Sequence, residues 1–517
     1  MKRNYIFVTV FFSGMVALAV EMSAARLLGN VFGSSNLVWA VIIGLILVYL
    51  TLGYWLGGKL ADKEPSYQMF YRLMMWGSLT IGLVPMISRP VLRITANAFD
   101  ELFLPGLVGA FITVMILFII PVTLIGMISP FALKLVLQNT ENAGKMSGLL
   151  SAISTLGSFI GTFIPILILI PLIGTYRTFL FFSSLLMFIG SIGIIISLDL
   201  KSWAKVSWMP ILLILLWLFG NRGTDKATKN MIYETESAYN YIQVLEENGY
   251  RYLRMNEGQG IHSVYHPTQL NYSGPWSQVM VAPFFNPNLE SADSVNRLAI
   301  IGLAAGTTAR QALTIYPDCE IDGFEIDPKI VAVGQEFFGM SSPKLTVYEL
   351  DGRLGLLQSE YIYDIISVDA YRAPYIPWHL TTIEFFRLTY NRLTEDGVLV
   401  INIGQVPLDR TLVNDLGTTI SQVFPSIFVM DIPGSFNSIL FATKTPSSWD
   451  KFETNYSQII QNSANPLLFD AMTTTIQNQR PTPSKTRVYT DDKAPIEWVT
   501  NEIVIDFILS GSIEDMP

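Results

Sequence analysis

Long apolar runs fill the first half of the chain, and shorter, interrupted ones fill the second. Seven runs, near 5–28, 36–57, 68–88, 107–127, 147–171, 176–198 and 204–220, approach the roughly 20 residues that a helix needs to cross a bilayer. The last is the shortest and the first suspect as a true span. The first is no cleavable leader, because Glu21 and Arg26 stand where small residues would be required. After a polar linker at 221–230 the pattern turns to alternation. Tyr239 to Glu247 and Tyr250 to Met255 flank a Glu-Asn-Gly turn and predict a hairpin. From about Val295, short apolar runs alternate with helix-like segments. A strand at 298–301 leads into a Gly302–Gly306 loop and a helix at 308–313, and a second strand at 321–326 carries Glu325 near its end. Strands near 347–351 and 363–369 end in Asp351-Gly352 and Asp369, further strands follow at 398–403, 427–431 and 438–442, and the tail from Trp449 is polar and helix-like. The predicted architecture is a multi-pass α-helical membrane domain (1–220), a linker (221–230), a small β-domain (231–290) and an α/β doubly wound, Rossmann-like domain (291–517).

Composition supports this division. Half the residues are hydrophobic and only 15% are charged, too apolar for an ordinary soluble enzyme. Residues 1–220 hold 13 Lys/Arg against 7 Asp/Glu, a balance of +6, so the remainder of a chain of net charge −9 carries −15. An acidic second half argues against nucleic acid as a partner. The lone cysteine, Cys319, excludes an internal disulfide, and three histidines with one cysteine make no metal site, even though His262 and His266 lie near Glu257. With the amino terminus inside, nine basic residues fall on inner segments and four on outer ones, which favours that orientation. Seven spans would then place the α/β domain outside the cell. A cytoplasmic domain requires one span fewer or an unusual orientation, and is the preferred reading. Glu21 and Arg26 sit at membrane depth as an ion pair, as a carboxylate with an arginine reaching the interface, or as part of a transport path.

The Gly302–Gly306 loop and the three strand-end acids carry the candidate chemistry. In doubly wound sheets ligands bind at the carboxyl ends of strands, and a glycine turn lets backbone approach a nucleotide. Glu325, 23 residues after Gly302, can accept two hydrogen bonds from a ribose diol.

Gly302-Leu303-Ala304-Ala305-Gly306 with Arg310, Glu325-Ile326-Asp327-Pro328, Asp351-Gly352-Arg353 and the run Tyr363 to Ala370 resemble the spermidine synthase (aminopropyltransferase) branch of the S-adenosylmethionine-dependent methyltransferase fold, most of all its membrane-fused members. The resemblance covers about 232–445, with a further motif of the membrane-fused members at Thr490 to Glu497. It implies a nucleoside site of Gly302, Gly306, Glu325 on the ribose, Asp351 and Gly352 near the adenine, and Asn240 in place of the glutamine of the family's Y-Q-x-I-x-V run. It also implies Asp369 as catalytic acid/base, with Tyr371 and Arg372 beside it. The implied substrate is S-adenosylmethionine or its decarboxylated form, with no metal. A lipid bilayer, an adenosine-containing small molecule and a second copy of the chain are the expected partners.

Two departures bear on the reaction. The family's loop aspartate, which helps hold the aminopropyl amine, is Ala305 here, and the second acid of D-x-x-D-P is Arg372. A unit charge pair at about 4 Å is worth about 4 kcal/mol at an effective dielectric of 20, and arginine reverses its sign. Ordinary binding of putrescine is therefore not expected, whereas Arg372 suits a carboxylate such as that of intact S-adenosylmethionine. Tyr371, Tyr375, Trp378 and His379 lie in the loop after Asp369, where aromatic rings can cover a sulfonium or simply pack. The leading expectation is a membrane-anchored enzyme that releases methylthioadenosine or transfers a group. The alternatives are a polyamine aminopropyltransferase proper and a non-catalytic or transport protein with a nucleoside-sensing domain. The loop at Gly53 to Lys63 resembles one loop of major facilitator transporters, but seven spans fall short of that family's twelve.

Overall fold

The computed structural model describes residues 2–32, 36–102, 106–137, 143–220, 228–256, 260–287, 295–371, 376–404, 409–461, 465–500 and 502. Two units emerge. One comprises Met1–Thr228 with Glu236–Tyr241, and the other Lys229–Thr235 with Ile242–Pro517.

Among the described residues, six helices of the first unit are long and apolar enough to cross a membrane: Arg3–Phe32, Val38–Lys63, Tyr67–Thr95, Gly109–Val136, Ala143–Ile173 and Thr175–Ser197. The seventh expected span is not among them. That run forms the helix Trp208–Phe219, whose 12 residues extend only about 18 Å, against a hydrocarbon core of about 30 Å. Close approach of backbones holds the bundle together. A Cβ added to Gly157 or Gly161 would lie 2.0 Å from the carbonyl oxygen of Phe11 or Met15 on the first helix. Gly53 and Gly57 press on Thr123 and Met127 in the same way. This is small-residue packing, in which van der Waals contact between backbones substitutes for the hydrophobic effect. The outer surface is greasy, with Leu167 67% and Leu172 75% exposed.

Arg26 does not pair with Glu21. Its guanidinium binds Glu236 Oε1 at 3.0 Å and the backbone oxygens of Ser237 and Tyr239. Glu236 in turn accepts from the Thr175 amide and hydroxyl and from Asn30.

The second unit begins with a four-stranded sheet in the order β1-β2-β3-β4: β1 (Met231–Glu236), β2 (Tyr241–Glu247), β3 (Tyr250–Met255) and β4 (Ile261–Tyr265). Asn248 and Gly249 both take positive φ, 53° and 83°, which closes the tight antiparallel β2–β3 hairpin. A buried 3₁₀ segment, Pro275–Phe285, then leads to the large sheet. Its strands are β5 (Arg297–Ile301), β6 (Glu320–Phe324), β7 (Leu345–Tyr348), β8 (Tyr363–Val368), β9 (Leu393–Gly404), β10 (Ser426–Asp431), β11 (Asn437–Thr443) and β12 (Gln479–Arg480), in the order β12-β10-β11-β9-β8-β5-β6-β7. The run from β9 to β7 is parallel, while β11, β10 and β12 add antiparallel pairings. Strand order reverses between β5 and β8, and a crevice opens at such a switch point. β5, β6 and β8 are almost wholly buried because both faces of the sheet are covered, and β5 accordingly reads as a continuous apolar run after Arg297.

Candidate active site

The loop after β5 is fixed by its own backbone and by β4. Gly302 has φ +85°, and a Cβ there would meet the Asp369 carbonyl oxygen at 2.5 Å, so no side chain fits. Ala304 takes φ +48°, an uncommon left-handed turn for alanine, and its amide donates to Glu325 Oε2 at 3.0 Å. The Ala305 amide donates to Ser263 Oγ, and Thr307 Oγ1 exchanges hydrogen bonds with the backbone of Val264. Arg310 lies over the Tyr265 ring and donates to the His266 carbonyl.

The three acids expected from the sequence arrive at the carboxyl ends of β6, β7 and β8, which belong to one parallel run with β5 lying between β8 and β6. Glu325 follows β6 and is buried. Its Oε1 accepts from the Asp327 amide and its Oε2 from Ala304, which leaves a lone pair on each oxygen for a ligand diol. Burial outweighs these two bonds and pushes its carboxyl up to about 7. Asp351 caps the helix Gly352–Gln358 through the Leu354 amide and meets His379 Nε2 at 2.8 Å. Burial acts to raise its carboxyl, but the His379 and Leu354 bonds prevail and hold it below the usual range. Gly352 packs on Ile301, where a Cβ would fall 2.3 Å from Cγ2.

Asp369 follows β8, with its amide bonded to the Ile301 carbonyl across the switch point at 2.8 Å. Asn402 on β9 donates to its Oδ1 at 2.9 Å, and Asn402 is itself held by Asn437. Burial pushes this carboxyl up to about 6 against the pull of the Asn402 bond. A carboxylate with that affinity is suited to accept a proton near neutral pH.

Other expected residues divide. The Tyr371 hydroxyl donates to the Asn402 carbonyl, so this ring braces the Asp369 support. Trp378 is exposed with its ring edge-on to His379. Arg372 and Tyr375 lie outside the described residues. Asn240 sits in the β1–β2 turn, where its amide donates to Ser237 Oγ; that turn belongs to the helical unit, not to the unit carrying the three acids. His262 is partly buried, and desolvation pushes its ring down to about 4. Gly306, at φ +83°, starts the helix Thr307–Ile315.

Sequence reasoning missed Asn402, because an asparagine inside an apolar strand gives no local signal. It also missed the pairing of Arg353 with Asp491, although both lie in motifs that stood out singly.

Residues 287–448 match the family model of the Spermine/spermidine synthase domain. A probable polyamine aminopropyl transferase of Bifidobacterium longum is 31% identical over 52% of this chain. The chain spans 62% of that relative's length. A polyamine aminopropyltransferase of Vibrio vulnificus is 29% identical over 39% of this chain and 68% of its own. Among solved structures, a spermidine synthase from Thermotoga maritima is 18% identical, with a TM-score of 0.40 over 53% of this chain and 88% of that one. The match to a spermine/spermidine synthase domain thus falls within the sheet-containing half of the chain, and a helical region with six long apolar helices among the described residues precedes it.

Proposed function

We propose that the chain is a membrane-anchored, spermidine synthase-like enzyme that binds S-adenosylmethionine or a related sulfonium nucleoside, and that its acceptor is not ordinary putrescine. The convergence of Glu325, Asp351 and Asp369 around the Gly302–Gly306 loop carries this reading. Glu325 would hold the ribose hydroxyls with its two free lone pairs, and Asp351 would face the base. Asp369, held by Asn402 through Oδ1 and with no partner for Oδ2 among the described residues, would take the proton that an acceptor loses as its new bond to carbon forms and the carbon–sulfur bond breaks. That cleavage leaves the electron pair on sulfur and releases methylthioadenosine. The same base position serves an intramolecular reaction in which the proton comes from the substrate itself.

The change of acceptor is supported by Ala305, whose methyl is fully buried in an apolar cluster with Ile242, Val244, Leu253, Met255, Ile330, Val333 and Phe338. It presents no carboxylate for a diamine. Arg372 replaces the second acid of the family pattern. The names of the bacterial relatives favour a second reading, a polyamine aminopropyltransferase proper.

Membrane anchoring is supported by the six long apolar helices, their glycine-mediated packing and their exposed apolar surface. With six spans and the amino terminus inside, the α/β unit falls on the cytoplasmic side, where its nucleoside substrate is made.

Turnover of S-adenosylmethionine and of its decarboxylated form, each with and without putrescine, tests the proposal by mass spectrometry of the adenosine products. Diamine-independent release of methylthioadenosine, with the intact compound preferred, is expected. Robust putrescine-dependent turnover of the decarboxylated compound overturns it in favour of the second reading.

A further inference from the structure

The Thr490–Glu497 stretch closes on the turn after β7. Arg353 Nη1 and Nη2 donate to Asp491 Oδ1 and Oδ2 at 2.8 and 2.7 Å, a two-pronged ion pair. The same Nη1 reaches the backbone oxygen of His379 at 2.9 Å. Thr382 Oγ1 donates to Asp491 Oδ1 at 2.7 Å, and Glu384 accepts from the Asp491 amide. His379 Nε2 then lies 2.8 Å from Asp351 Oδ2, while Oδ1 is committed to the Leu354 amide. Oδ2 of Asp351 is thereby oriented by a histidine whose backbone oxygen is bound by Arg353, itself held by Asp491.

We infer that Asp491 and Arg353 are positioning residues of the nucleoside site, which hold His379 against Asp351 and so aim its carboxylate to select a 6-amino purine. The inference rests on the reading of Asp351 as the neighbour of the base. A carboxylate accepts from an exocyclic amino group, but it opposes the 6-oxo oxygen of a hypoxanthine, since both are acceptors. Selectivity needs that carboxylate to be fixed, because a free rotamer would turn away from the unfavourable base and lose the discrimination.

Calorimetric titration of the full-length protein with 5′-methylthioadenosine and 5′-methylthioinosine tests this. Wild type binds the adenosine compound more tightly. Asp491→Asn and Arg353→Lys should weaken it about tenfold, the order of one charge-assisted hydrogen bond, and should leave the inosine compound nearly unchanged. His379→Gln, which keeps an N–H for Asp351, should retain most of the selectivity, and His379→Leu should lose it. Equal loss of both ligands together with a lower melting temperature would mark the pair as a structural staple and overturn the inference. So would unchanged selectivity in folded Asp491→Asn. If wild type binds neither compound, the nucleoside reading itself fails. If it binds both as expected and only the variants disagree, the positioning role alone fails.

Discussion

Asn402 Nδ2 lies 2.9 Å from Asp369 Oδ1, a single hydrogen bond between a β9 side chain and the carboxylate that ends β8. This bond favours the charged form and opposes the upward push of burial, so it limits how far the carboxyl rises above the ordinary aspartate range. If Asp369 must be ionised to accept a proton, activity falls as pH drops through about 6. Asn402→Leu removes the bond and should move that acidic limb to higher pH by roughly one unit. The pH profile of methylthioadenosine release by wild type and variant is the measurement; coincident profiles would remove Asp369 from the rate-limiting proton transfer.

Glu325 binds two backbone amides with two oxygens and keeps capacity for a diol. Loss of its carboxylate in Glu325→Ala should weaken methylthioadenosine at least about tenfold, since hydrogen bonds to a charged acceptor are worth about 1.5–3 kcal/mol each. Its carboxyl is raised to about 7, so the better acceptor form is present above that pH and is lost below it. Affinity in wild type should therefore decline as pH falls from 8 to 6. A flat affinity over that range, or equal affinity in the alanine variant, would contradict a ribose role.

Ala305 tests the departure from the family pattern. Its methyl is fully buried among β2, β3 and the helix Pro328–Phe337. Ala305→Asp would place an unpaired carboxylate in that apolar cluster and should destabilise the α/β unit by about 3 kcal/mol or more. The expected result is a lower unfolding midpoint with no gain of diamine-dependent turnover. A stable variant that acquires putrescine turnover would show that the alanine alone sets the acceptor.

The strand-end acids were legible because each belongs to a short motif in which glycine, acid and apolar run stand together. β5 was legible because its interior is apolar without interruption, whereas β6 and β8, interrupted by Asp322 and by Asp364 and Ser367, were legible through the motifs that follow them. The supports of those acids were not. Asn402 is remote in sequence from Asp369, and Asp491 lies 138 residues from Arg353, so only the parallel order of β5, β8 and β9 and the fold of the tail unite them. Arg26 shows the same limit in the helical unit. A carboxylate five residues away suggested a local pair, yet its partner is Glu236, 210 residues on. Hydropathy marked 204–220 as apolar, but only the break at Lys205–Ser207 and the start of the last helix at Trp208 set its usable length.

On the proposed membrane-anchored reading, that shorter helix sets the number of crossings. Seven crossings with the amino terminus inside would export the α/β unit; six return it to the side of the amino terminus. Removing the seventh crossing leaves the charge argument intact, because Lys201 and Lys205 follow the sixth long helix in either count. A helix of about 18 Å cannot span a core of about 30 Å without burying unsatisfied polar backbone, so Trp208–Phe219 is expected to pack beside the bundle rather than cross. Its contacts fit that role, since Leu213 is buried and Trp217 donates to Ser184 on the sixth long helix. Single cysteines at Ser66 and Lys229, introduced after Cys319→Ser removes the native thiol, report the two sides. Ser66 follows two spans and Lys229 follows six, so a membrane-impermeant maleimide should label neither in intact cells and both after permeabilisation. Labelling of Lys229→Cys alone in intact cells would restore a seventh crossing and place the α/β unit outside.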